Sequence, residues 1–200
     1  MHISKLLVVN SLLALAFTLA ALMAVPACTV NVKKGENNAD KKVDIETPMG
    51  GIHVSKDADV RDTGLLVYPG ARPRHKEENG EERNANVNIS GMGYGLKVVA
   101  VDFESDDPPE KVIAYYQDQL KKYGNVIQCH SSGHGTTYDR ESGKGSGALK
   151  CEGDNTGKTI ELKAGTEDRQ HIVSIEPQSS GKGSNFALVY VQTHGKDETI

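Results

Sequence analysis

Tryptophan is absent from this chain, and only three phenylalanines accompany its seven tyrosines. A folded core must therefore rest on Val, Ile, Leu and Tyr, and it is modest in size. Concentrated positive charge is missing as well: 23 Lys and Arg are interleaved with 27 Asp and Glu. Phosphate backbones are bound by clustered basic surface, so nucleic acid is excluded as a partner. Acids are absent from the first 27 residues, which hold Lys5 as their single Lys or Arg. Without that segment the chain keeps 22 basic and 27 acidic residues, a net charge of about −5 with histidines neutral. Glycine is plentiful at 21 residues, often in short clusters, which suits a turn-rich β protein and not a disordered chain. Two hundred residues accommodate one ordinary domain with appendages.

The segment from Met1 to Ala27 reads MHISKLLVVNSLLALAFTLAALMAVPA. A short basic start, an apolar run and small residues before a cleavage point make a secretory signal peptide. The run from Leu6 to Val25 exceeds the usual signal core, so an uncleaved membrane anchor is one alternative. Asn10, Ser11 and Thr18 interrupt it and weaken that alternative. Ordinary secretion with cleavage after Ala27 is another. Val25-Pro26-Ala27-Cys28 resembles the lipobox of bacterial lipoproteins, where the cysteine is acylated and becomes the new N-terminus. The resemblance implies lipidation at Cys28, with membrane lipid as the partner reached through the acylated residue. Several acyl chains on one residue hold a soluble domain at a bilayer where one chain binds only marginally. Thr29 follows the cysteine in place of the Asp that favours inner-membrane retention of such lipoproteins. The implied location is the bacterial cell envelope, at the outer membrane and facing the periplasm.

Residues 29–43 (TVNVKKGENNADKKV) are polar and charged, as in a tether. Val43 to Val54 alternates about Pro48-Met49-Gly50-Gly51 and predicts a short β-hairpin within a lipid-anchored polar segment spanning 28–64. This piece resembles the short strand-turn units of exported bacterial β-solenoid and adhesin-like domains. The main domain is expected over 65–200, from Leu65-Leu66-Val67-Tyr68-Pro69-Gly70 onward. Strands are expected at Ala85–Ile89 and Leu96–Glu104, the latter with Val99, Val101 and Phe103 on one face and Asp102 and Glu104 on the other. Asp107-Pro108-Pro109-Glu110 then offers an N-cap, prolines in the tolerated first turn and an acid three residues after the cap. Val112, Ile113, Tyr116, Leu120 and Tyr123 recur at helical spacing before Gly124, predicting a helix over Pro108–Tyr123 that buries Tyr116 and Leu120 and turns Gln119 away. The Tyr115-Tyr116 pair reads as packing. Further strands are expected at Val126–Cys129, Ala148–Cys151, Thr159–Lys163, His171–Ile175 and Phe186–Thr193, with Phe186–Val191 apolar on both faces and hence central. The fold class is α+β: one amphipathic helix packed on a mostly antiparallel sheet, preceded by a signal peptide and a polar tether. The succession Tyr68-Pro69-Gly70-Ala71, strand, then Asp107 through Tyr116 and Gly124 resembles a pattern of uncharacterised exported lipoproteins, and implies no reaction.

With Cys28 assigned to lipid, Cys129 and Cys151 form an even remainder that predicts a disulfide in an oxidising envelope. Free thiols are the bland alternative. A metal site from Cys129, His134 and Cys151 is the sharper one, but it lacks a fourth protein ligand and a familiar spacing. His130, adjacent to Cys129 in a strand, points to the other face and cannot easily join it. No metal or cofactor is therefore assigned. Gly143-Lys144-Gly145-Ser146-Gly147-Ala148 loosely matches a dinucleotide loop but leads into a strand, without a helix N-terminus for a pyrophosphate. Ser179-Ser180-Gly181-Lys182 matches S-x-x-K but lies in a Gly-rich turn without companion motifs. Asp57-Ala58-Asp59 begins like a calcium loop, yet Tyr68 stands where the bidentate Glu belongs. The run Glu104 to Asp107 reads as a solvated turn. No catalytic residue is assigned. The expectation is a non-catalytic interaction or structural module with an envelope protein partner. An envelope hydrolase and a periplasmic small-ligand or metal-binding module are the alternatives.

Overall fold

A computed structural model describes residues 29–34, 41–75, 84–131, 148–151 and 155–194. The signal segment 1–27, Cys28 and His134 lie outside the described residues.

In chain order the elements are β1 (Thr29–Lys34), β2 (Lys41–Thr47), β3 (Gly50–Ser55), β4 (Arg72–Pro73), β5 (Asn84–Gly91), β6 (Tyr94–Ser105), helix α1 (Pro109–Leu120), β7 (Ile127–Ser131), β8 (Thr159–Thr166), β9 (Arg169–Pro177) and β10 (Ser184–His194). The strands make one ten-stranded sheet in the order β1-β2-β3-β5-β6-β10-β9-β8-β7, with β4 beside the end of β6. Every ladder is antiparallel. The protein is thus a sheet-dominated α+β fold, with a single α-helix among the described residues.

Side chains alternate between faces along each strand, so register decides the core. Phe103 of β6 stands opposite Phe186 of β10, Val101 opposite Leu188, and Val99 opposite Tyr190. The same rows continue through Ile175, Val173 and His171 of β9 into Ile160, Leu162 and Ala164 of β8. Helix α1 lies over β8 and β9 and brings Val112, Tyr116 and Leu120 to this face, each completely buried. Burying a side chain of that size contributes about 1.5–3 kcal/mol. Leu65 and Tyr68 join the same cluster from the segment before β4. β10 is central, as its two apolar faces imply, and Tyr116 is buried with Tyr115 half-buried beside it. Gln119, expected on the exposed side of the helix, is half-buried.

Helix entry differs from the expected capping box. Pro108, extended at φ −67 and ψ 157, occupies the N-cap position and contributes no side-chain cap. The residue before a proline is held out of the α region, which leaves Asp107 one place too early to cap. At the other end the helix tightens into a 3-10 turn, Lys121–Tyr123, and stops at Gly124.

The sheet extends N-terminal to residue 65. β3 pairs with β5 from Gly50–Gly91 to Ser55–Asn86, and the hairpin β2–β3 aligns Val43 with Val54 and Ile45 with Ile52. Residues 29–34, which read as tether, form the edge strand β1 against β2. An edge strand pairs on one side only and needs few apolar residues, and Thr29 and Val30, on opposite faces of β1, are both exposed. Residues 148–151, expected as a strand, are irregular. On the face opposite α1, Val43, Val54, Val87, Val98 and Val191 fall in one cross-strand row, and Val30, Ile45, Ile52, Ile89 and Leu96 in the next.

Candidate functional site

Cys129 sits on β7 and is buried, while Cys151 belongs to the irregular segment. Their sulfurs stand at disulfide-bonding distance, with the α-carbons 5.4 Å apart and a sequence separation of 22. That separation is ordinary for a bridge. The pair fastens the segment 148–151 to β7, the last strand of the sheet. Close by, Lys163 of β8 pairs with Glu161 at 3.3 Å, the side chains only 5% and 16% exposed. His130 is half-buried, and its backbone N–H donates to Asn155 Oδ1 at 2.6 Å. Among the described residues no three His, Cys, Asp or Glu side chains are placed to hold a metal ion.

A second constellation joins the segment before β4 to the helix. Tyr116 Oη accepts from the backbone N–H of Tyr68 at 3.0 Å and donates to the carbonyl of Leu66 at 3.1 Å. Tyr68 Oη in turn donates to Asp107 Oδ2 at 2.9 Å, and Lys111 Nζ donates to Asp107 Oδ1 at 2.7 Å. Ser184 Oγ donates to the Asp107 carbonyl at 2.7 Å. The Lys111 ammonium, then the Tyr68 hydroxyl, hold the Asp107 carboxyl below the ordinary range. Burial pushes both tyrosine phenols up, so they stay neutral donors. This network gives the Tyr68-Pro69-Gly70-Ala71 and Asp107-to-Tyr116 succession a physical meaning: one half of the pattern is hydrogen-bonded to the other. The rest of the acidic run is also occupied, because Arg72 of β4 bridges Glu104 at 3.1 Å and Asp106 at 3.0 Å.

A third constellation was not legible in the sequence. Tyr123, just past α1, stacks on His171 of β9 with ring centroids 3.5 Å apart and planes 13° from parallel. His171 Nδ1 donates to the Thr63 carbonyl at 2.8 Å, and Tyr123 Oη donates to the carbonyl of Gly64. Gly64 has φ 71, and a Cβ there would stand 2.5 Å from Tyr123 Oη, so the turn requires glycine. Burial lowers the His171 pKa. The neutral ring carries its proton on Nδ1 and leaves Nε2 as an acceptor. Tyr123, Gly165, Thr166, Asp168, Arg169 and His171 line a groove of about 390 Å³. His171 bonds Thr63 and packs its ring against Tyr123 and Tyr190, contacts that position it.

No family model, curated protein or solved structure matches this chain. The S-x-x-K stretch lies in the β9–β10 turn, where Ser180 Oγ donates to the Lys182 carbonyl at 3.0 Å. Asp59 caps the 3-10 turn Val60–Thr63 by accepting from the Arg61 N–H at 2.8 Å. The Arg61 guanidinium and amide bring its carboxyl down to about 2. A carboxylate so engaged is not an open calcium ligand. Of the Gly143–Ala148 stretch only Ala148 is described.

Proposed function

We propose that this chain is an exported lipoprotein of the bacterial cell envelope whose α+β domain is a non-catalytic interaction or structural module. Residues 1–27 direct export, and Cys28 carries the acyl chains that hold the protein at the outer membrane, facing the periplasm. The observation that carries the reading is the Cys129–Cys151 geometry. Of three cysteines, two stand at bonding distance and the third lies in the lipobox-like Val25-Pro26-Ala27-Cys28. Disulfides persist in oxidising compartments, so a paired remainder fits a chain delivered outside the cytoplasm. The module reading draws on the use of the reactive groups: Tyr68, Tyr116 and Asp107 fasten one segment to the helix, and Asp59 caps a turn.

Fractionation of cells expressing the full chain tests the address, and crosslinking tests the role. The protein should remain with membranes through high salt and carbonate, and Cys28→Ser should release it to the periplasmic fraction. Crosslinking in intact envelopes should then capture the same protein neighbour repeatedly. Wild-type protein in the soluble fraction contradicts the anchor; a membrane-bound protein without a reproducible neighbour contradicts the interaction role.

A further inference from the structure

Charge is spread through most of this chain, yet neither residues 47–52 (TPMGGI) nor 89–96 (ISGMGYGL) contain any. These are the two neighbouring hairpin ends of the sheet, β2–β3 and β5–β6. They are joined at the tips, where the Met92 N–H donates to the Met49 carbonyl at 3.1 Å. Their apolar side chains face outward: Met49 is 62% exposed, Met92 68% and Tyr94 50%. Behind them Val30, Ile52 and Ile89, also exposed, share the face opposite α1. The β5–β6 turn has φ 52 at Met92 and 81 at Gly93, the arrangement that favours Asn-Gly. Met at the first position sacrifices local stability and places a large apolar side chain at the tip.

The way the chain enters the sheet identifies what this end meets. Thr29 pairs with Glu46, immediately before the β2–β3 tip, so β1 begins at this end. The 28 residues that precede Thr29, including the apolar run and Cys28, are joined to the sheet here. The corner is two-sided: Asp44, Glu46 and His53 fall on one face, while Val30, Ile45 and Ile52 fall on the other. The β8–β9 turn at the same end carries Glu167, Asp168 and Arg169. At about 4.8 Å per strand it lies roughly 15 Å along the edge from the β5–β6 tip.

We propose that Met49, Met92 and Tyr94, backed by Val30, Ile52 and Ile89, rest in the interfacial layer of a phospholipid bilayer. The proposal deepens the lipoprotein reading, resting on membrane attachment next to Thr29. The attached chain holds this corner at the surface, and the uncharged tips enter the layer where Tyr is favoured and no charge need be desolvated. The charged β8–β9 turn stays in water, so the sheet stands tilted on its β1 side. Contact at the tips adds a second attachment to the acyl chains and fixes the orientation of the domain.

Because the chain has no tryptophan, Tyr94→Trp introduces a single fluorophore at the tip. Ser180→Trp places one in the β9–β10 turn, at the opposite end of the sheet. The full-length variants, purified from membranes, are reconstituted into phosphatidylethanolamine–phosphatidylglycerol vesicles with and without brominated acyl chains. Tip residues within about 5–10 Å of the headgroup boundary should be quenched about two-fold in Tyr94→Trp, with little change in Ser180→Trp. Equal quenching, or none in either, overturns the proposal. Intact mass on the same preparations reads Cys28 acylation separately. An acylated Tyr94→Trp protein without quenching overturns the docking and leaves the lipoprotein reading standing. An unacylated protein whose Tyr94→Trp emission still shifts blue and is quenched on vesicle addition keeps the docking and overturns the reading; no shift overturns both.

Discussion

Tyr116→Phe removes one oxygen from the core and nothing else, which makes it a sensitive probe of the seam between the Tyr68 segment and α1. The hydroxyl bonds the Tyr68 N–H at 3.0 Å and the Leu66 carbonyl at 3.1 Å. Tyr68 is buried, so its N–H loses its partner without gaining water, at a cost of about 1–3 kcal/mol. Leu66 is exposed, so its carbonyl can turn to water and the loss there is about 0.5–1.5 kcal/mol. Together the substitution should destabilise the fold by about 1.5–4.5 kcal/mol. Tyr115→Phe, one residue away and half-buried, should cost less than about 0.5 kcal/mol. Urea melts followed by circular dichroism read both, with the midpoint falling and the slope unchanged for Tyr116→Phe. Equal small effects at the two positions would refute the seam, because ring packing is preserved in each.

Leu120→Ala, at a completely buried helix position, should cost about 2–5 kcal/mol in the same assay, and a loss below about 1 kcal/mol would mean the α1 face is loosely packed. Opening the Cys129–Cys151 bridge, which spans 22 residues, should lower stability by about 3 kcal/mol; identical melts with and without reductant, or two labelled thiols in unreduced protein, would contradict the bridge. The folded His171 pKa lies below its ordinary 6.5, so the unfolded chain takes up the proton first as pH falls. Stability from this residue is therefore complete above 6.5 and is lost below it, down to the folded pKa. His171→Gln should flatten that part of the curve, and an unchanged pH slope would show that His171 does not contribute.

Much of the sheet was legible because burial follows the period of two. Val99, Val101 and Phe103 alternate with Asp102 and Glu104, and the buried set is the one the alternation selects. The helix was legible from Val112, Tyr116 and Leu120, and the β2–β3 hairpin from its turn residues. Edge strand β1 was hidden by composition, since Val30 and Val32 stand among polar residues and an edge strand is held by its backbone ladder to β2. Ala148–Cys151 has strand-like composition but no ladder; Cys151 holds it to β7. The Tyr116–Tyr68–Asp107 network and the Tyr123–His171 stack join positions 39 or more residues apart, and no local pattern marks such partners. Cysteine parity did point to the Cys129–Cys151 pair, because two residues remain once Cys28 is set aside.

The chemical state of the N-terminus tests the central claim most directly. Mass spectrometry of the membrane-extracted protein should find a mature chain beginning at acylated Cys28, with residues 1–27 absent. A chain beginning with unmodified Cys28, or one that retains residues 1–27, would contradict the lipoprotein account.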